Sequence, residues 1–262
     1  MKKITTLLLL SCILPLFAQH KIPVQVTQLL NKNTLFKPVA LLTAFNPHNI
    51  AADSLVRNAT YAKLDTGLVI NIFKNKPEHL QLTIPYGDST ITMQLYRVVT
   101  MAAGFHIDTD KGSNIAYTPG AYYHGIIKGD VNSIAAFSFF ENEMYGIVSA
   151  AAIDNVVVGR LKIPGNTKDY IIYSDTNLKQ PHNFECTTRD IKIPHNTPVE
   201  KNGQGVLSEH CVSLYFELRN NAYVANGSSV SETANWFTAM YNNVQALFEN
   251  DGINTAIKSM YV

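Results

Sequence analysis

The last 52 residues constrain this chain more than any other part of it. "CVSLYFEL" at Cys211–Leu218 alternates, with Val212, Leu214, Phe216 and Leu218 on one face of a strand and Cys211, Ser213, Tyr215 and Glu217 on the other. A helix of about 20 residues follows. Ser229 stands three residues before Glu232, the spacing of a capping box. Val230, Ala234, Phe237, Tyr241, Val244 and Phe248 recur at helical intervals, and Gly252 stands where a C-terminal cap belongs. "INTAIKSMYV" then returns to strand-like residues. Strand, helix, strand is a βαβ unit, which requires a parallel pair joined by a right-handed crossover. Such a unit cannot stand alone: a parallel sheet needs both faces covered, and two strands leave edge groups unpaired. Something else must cover it.

Upstream the pattern is β. "GLVINIF" (Gly67–Phe73), "HLQLTIP" (His79–Pro85) and "TITMQLYRV" (Thr90–Val98) have a period of two and are separated by "KNKPE" and "YGDS". The meander continues through "AYYHGIIKG", "SIAAFSFF", "MYGIVSA", "NVVVGRLKI" and "DYIIYSD", with Gly129-Asp130 and Glu141-Asn142 at hairpin turns. From His20 to Ala62 the pattern is weaker, consistent with a peripheral strand or helix and a loop. Residues 19–178 therefore read as one antiparallel β-rich domain. Residues 179–209 hold three prolines, two glycines and no apolar period, which describes an exposed linker with a possible processing site. Residues 210–262 are the incomplete βαβ unit, so the fold class is α+β.

Compartment is read from the first residues. Lys2 and Lys3 precede an apolar run from Ile4 to Phe17, and Ala18 offers a small residue for cleavage, so residues 1–18 form a signal peptide and the chain is expected to be secreted or periplasmic. No segment approaches the roughly 20 apolar residues of a transmembrane helix. The apolar run continues past Cys12, which argues against a lipid anchor there. The formal net charge is +1 with scattered lysines and arginines, so no nucleic-acid surface is expected. With Cys12 removed, Cys186 and Cys211 remain. They allow one disulfide closing a loop of about 25 residues, worth roughly 3 kcal/mol by loop entropy.

The densest stretch of candidate chemistry is Tyr122–Ser149, "YYHGIIKGDVNSIAAFSFFENEMYGIVS". His124 reads as a strand residue satisfied by a neighbour or solvent, not as a metal ligand. Asp130, Glu141 and Glu143 fall at turns and read as solvated loop charges. Asp108, Asp110 and Gly112 in "DTDKGSN" have part of a calcium loop but lack its later glutamate, so they read as a turn.

The same stretch carries a resemblance. Tyr123, Gly125, Ile127, Gly129, Ser133, Ala136, Phe137, Ser138, Gly146 and Ile147 follow a pattern similar to the signature region of propeptides of reprolysin-type zinc metalloproteases, the ADAM and snake-venom group of the metzincins. The carboxy-terminal unit looks like the opening strand–helix–strand of a metzincin catalytic domain. The resemblance implies a bacterial-type secreted zymogen whose β-rich propeptide chaperones and inhibits its own or a related metalloprotease catalytic domain. The intact parent would use zinc, held by H-E-x-x-H-x-x-G-x-x-H. None of the eight histidines begins that motif. The chain is thus expected to have no catalytic residues, to need no cofactor itself, and to be a truncated, inactive form. In such a family Cys186 could be the cysteine-switch ligand to a zinc that this chain does not bind; pairing with Cys211 is the alternative. A secreted β-rich binding or adhesion module, or a free-standing protease inhibitor, remains open beside it.

Overall fold

The computed structural model describes residues 20–46, 55–180 and 211–262. Its fold is mixed α+β and rich in strands, with a curled sheet. Helix α1 (Lys21–Asn31) leads into short strands β1 (Lys37–Val39) and β2 (Leu42–Ala44), then β3 (Thr60–Leu64) and helix α2 (Thr66–Asn75). Strands β4 (His79–Tyr86), β5 (Ser89–Val98), β6 (Met101–Asp108), β7 (Ala121–Ile127), β8 (Ile134–Phe139), β9 (Met144–Ala150), β10 (Asp154–Arg160) and β11 (Asp169–Ser174) follow. The carboxy-terminal unit is β12 (Cys211–Glu217), a short helix α3 (Asn220–Ala225), the long helix α4 (Val230–Asn250) and β13 (Asn254–Tyr261).

Ten strands form one sheet in the order β1-β4-β5-β7-β8-β9-β10-β11-β3-β2, antiparallel except for the β1–β4 pair. Curling brings β2 and β3 close to β4. The inner face holds the main core, which includes Leu82, Leu95, Tyr123, Phe137, Phe139 and Tyr170, with Val69 and Ile72 of α2 packed into it. Because side chains alternate along a strand, β7 turns Tyr123 inward and presents Tyr122, His124 and Ile126 to the outer face.

Two glycines of the signature stretch show why no larger residue serves. A Cβ on Gly125 would collide with the Gln94 carbonyl, and one on Gly146 with the Phe137 ring. Gly129 turns the β7–β8 hairpin at φ +85°.

The segment Gly67–Phe73, expected as a strand, is instead helix α2. Its alternation is overruled by end signals: the Asp65 side chain accepts from the Leu68 N–H at 3.0 Å, and Lys76 closes the helix in the left-handed region at φ 42°. Val69 and Ile72, three apart, then share the buried face.

The βαβ unit forms with β12 and β13 parallel, as its pattern requires. Its cover comes from upstream. Strand β6 leaves the meander and pairs in parallel with β13 as the third strand, with Ile257 opposite Met101 and Met260 opposite Ile107. A bulge at Gly104, φ +72°, absorbs the extra residues between those pairs, and Lys258 Nζ donates to the Ala103 carbonyl across it at 2.6 Å. Ile107, Ala234, Tyr241, Ile257 and Met260 make the small core beneath that sheet. The described residues before 181 and those from 211 onward are therefore interleaved through β6, not merely joined in series.

Candidate functional site

The site built by this interleaving is the seam where α4 lies across the outer face of β7, β8 and β9. Ser229 caps the helix by accepting from the Glu232 N–H at 3.3 Å, and Gly252 ends it in the left-handed region at φ +80°. Both ends follow the sequence expectation. The buried face does not.

Of the expected apolar stripe, Ala234 and Tyr241 are buried, but Val244 and Phe248 are exposed. The helix docks through a polar row instead: Asn235, Thr238, Asn242, Gln245 and Glu249, spaced three and four residues apart. Each is bonded across the seam. Asn235 accepts from Tyr117 Oη at 3.0 Å and donates to Glu143 Oε1 at 3.1 Å. Thr238 accepts from Tyr122 Oη at 3.0 Å. Asn242 Nδ2 donates to the Phe137 carbonyl and to Ser138 Oγ, both at 3.1 Å. Gln245 accepts from Thr100 Oγ1 at 3.0 Å and donates to the Thr255 carbonyl at 2.6 Å. Glu249 accepts from Tyr96 Oη at 3.2 Å.

Outward, α4 shows Met240, Val244, Leu247 and Phe248, with Leu247 59% exposed. The apolar stripe thus faces the small sheet through Ala234, Phe237 and Tyr241 and is exposed only toward its C-terminal end, while the β-rich body meets a separate, polar face.

His124 sits in the middle of the seam with 0% exposure. It is satisfied by neighbours, as the sequence suggested, and the neighbours belong to the carboxy-terminal unit. Its Nδ1 lies 2.5 Å from Glu249 Oε2, and its Nε2 lies 3.0 Å from Asn242 Oδ1 and 3.1 Å from the Asn242 carbonyl. Because Asn242 Nδ2 faces a carbonyl, the amide orientation is fixed and Oδ1 must accept. Burial pushes the Glu249 carboxyl up, but the His124 hydrogen bond and charge, with Lys21 and Tyr96, outweigh it and hold Glu249 below the usual carboxylate range. Glu249 thus faces His124 as a carboxylate, and both ring nitrogens of His124 face oxygen atoms.

Glu143 corrects the expectation of a solvated loop charge. It is 3% exposed, and Arg160 lies 3.2 Å from it while also reaching Glu232 at 3.5 Å. Burial dominates, so the Glu143 carboxyl is raised despite Arg160 beside it. Asp130 does sit at a turn, accepting from the Asn132 N–H at 2.9 Å. Asp108 accepts from the Asn114 N–H at 2.8 Å, in the loop that Thr109 and Gly112 close.

Cys211 is exposed at the start of β12; Cys186, Cys12 and residues 181–209 of the linker lie outside the described residues. Among the described residues no three His, Cys, Asp or Glu side chains are grouped to hold a metal ion, and no helix among them is long and apolar enough to cross a membrane.

No protein-family model matches the chain, and no curated protein matches it in sequence. Among solved structures, metalloproteinase-II from Bacteroides fragilis aligns over 75% of this chain and 55% of its own length, with 7% identity and a TM-score of 0.32. The chain thus spans little more than half of that protein.

Proposed function

We propose that residues 19–178 are the propeptide of a secreted, reprolysin-type zinc metalloprotease and that residues 210–262 are the first strand–helix–strand of its catalytic domain. The propeptide chaperones that domain and keeps it latent until the linker at 179–209 is cut. The observation that carries this reading is the polar face by which α4 meets the β-rich body. Permanent cores are apolar, whereas surfaces that must part again are more polar and hydrogen-bonded. Here the helix meets the β-rich body through a bonded polar row that water can satisfy after release. Its apolar row stays outward, where a protease domain would place its own core. Strand β6 lends the third strand that the βαβ unit lacks, which is how a folding template covers an unfinished sheet.

The zinc of such an enzyme does not belong to this chain's residues. Its eight histidines include no pair four residues apart, so no hydrolytic step is assigned to them. Cys186 is proposed as the thiolate that would occupy that zinc in the latent state.

Sequencing the gene beyond the Val262 codon tests the reading. H-E-x-x-H-x-x-G-x-x-H within about 150 residues, the length of one domain, is the expected result. Unrelated sequence there would favour a secreted binding module and overturn the zymogen.

A further inference from the structure

We infer that the His124–Glu249 pair is a pH-sensitive latch that sets how firmly the β-rich body holds α4. The inference rests on the reading of the body as a temporary partner and adds its regulation. The pair bridges the two units, with His124 completely buried and the Glu249 side chain 18% exposed, and the ring sets one nitrogen against the carboxylate and the other against Asn242. Loss of charge on Glu249 breaks it: proton uptake removes the negative charge around which His124, Lys21 and Tyr96 are arranged.

The surroundings add few competing charges. From β5, Tyr96 stands opposite His124 and donates to Glu249, while the neighbouring Arg97 is engaged by Glu78. From β8, uncharged Ala136 is the register partner. From α1, Lys21 acts on Glu249 and donates to Asn254 Oδ1 at 2.8 Å, and His20 accepts from Asn250 Nδ2 at 2.8 Å. Elsewhere along the seam stands Glu143, bonded to Asn235 of α4. Its raised carboxyl favours proton uptake in the docked state, so it opposes release in acid. Glu249 does the reverse: its depressed carboxyl contributes holding strength that is complete above the free value of 4.5 and fades as pH falls through the docked value below it.

The test uses the full chain with one specific protease site placed within residues 181–210, cut in the native state under reducing conditions. Dissociation of the two pieces is followed from pH 3 to pH 10 by size-exclusion chromatography and by emission of Trp236, the single tryptophan, which lies on α4. The expected profile has an acid limb: below pH 4.5 the dissociation constant rises about tenfold for each pH unit down to the docked value of Glu249, as one titrating group requires. Glu249→Gln removes that limb, and Tyr96→Phe, which keeps the ring and deletes the bond to Glu249, moves it to higher pH. A Glu249→Gln or Tyr96→Phe profile identical to the parent's overturns the latch while leaving a separable body intact. Pieces that separate neither at any pH nor in urea short of unfolding would overturn the temporary-partner reading and the latch together.

Discussion

Asn242→Leu probes the polar face of α4 most sharply. Leucine shares asparagine's branching at Cγ, so the substitution keeps the side chain's outline while replacing its two polar ends with bulkier methyl groups. Asn242 is completely buried and donates to the Phe137 carbonyl and to Ser138 Oγ. His124 Nε2 keeps the backbone carbonyl at position 242 as an acceptor, 3.1 Å away. Two buried groups therefore lose a partner, at about 1–3 kcal/mol each, and the added apolar surface recovers part of that. The net expectation is about 2 kcal/mol, or roughly a thirtyfold weaker docking equilibrium. Urea titration reads it with two probes. Trp236 emission follows α4, which it reports from a half-buried position lined by Tyr145 and Arg160. Far-UV circular dichroism follows the ten-stranded sheet. At a slope of about 2 kcal/mol per molar urea, the Trp236 midpoint should fall by about 1 M while the sheet transition stays in place. A midpoint that stays or rises would mean that this face of α4 is an ordinary apolar core, and the reasoning would fail.

Leu247→Lys should shift the Trp236 midpoint by less than about 0.5 kcal/mol, because the side chain is 59% exposed; a loss above about 1.5 kcal/mol in the same titration would show that the outward row is covered. Gly125→Ala should cost about 3 kcal/mol or more, read as loss of the cooperative sheet transition, because its methyl group would meet the Gln94 carbonyl, part of the backbone of β5. A soluble Gly125→Ala protein with the parent's transition would contradict that packing.

How much of this was legible depended on whether the deciding force is local. The βαβ unit and the caps of α4 were readable, because Ser229, Glu232 and Gly252 act within one turn. So were the β7–β8 hairpin and the role of Gly129, because a left-handed turn calls for a particular residue. Helix α2 was missed although its cap, Asp65, stands in plain view; the alternating β-branched run outweighed it in the reading. Strand β6 could not be read at all. "MAAGFHID" carries little strand propensity, and it is extended because β13, some 150 residues later, offers it an edge. The docked face of α4 was invisible for a related reason. Periodicity finds where apolar residues gather, and here they gather toward the small sheet, whereas the face against the β-rich body is polar. Glu143 appeared to be a turn charge because burial by α4 and Arg160 comes from distant sequence.

The central claim is that the β-rich body lends β6 to the carboxy-terminal unit. Amide hydrogen exchange across Met101–Asp108 in the intact chain tests it most directly, since the pairing with β13 is the only ladder described for that strand. The account predicts slow exchange at 105–108, rising together with exchange in the facing residues 259–261 when α4 is undocked by Asn242→Leu. Amides of 105–108 that exchange at the rate of free peptide while β13 stays protected would contradict it.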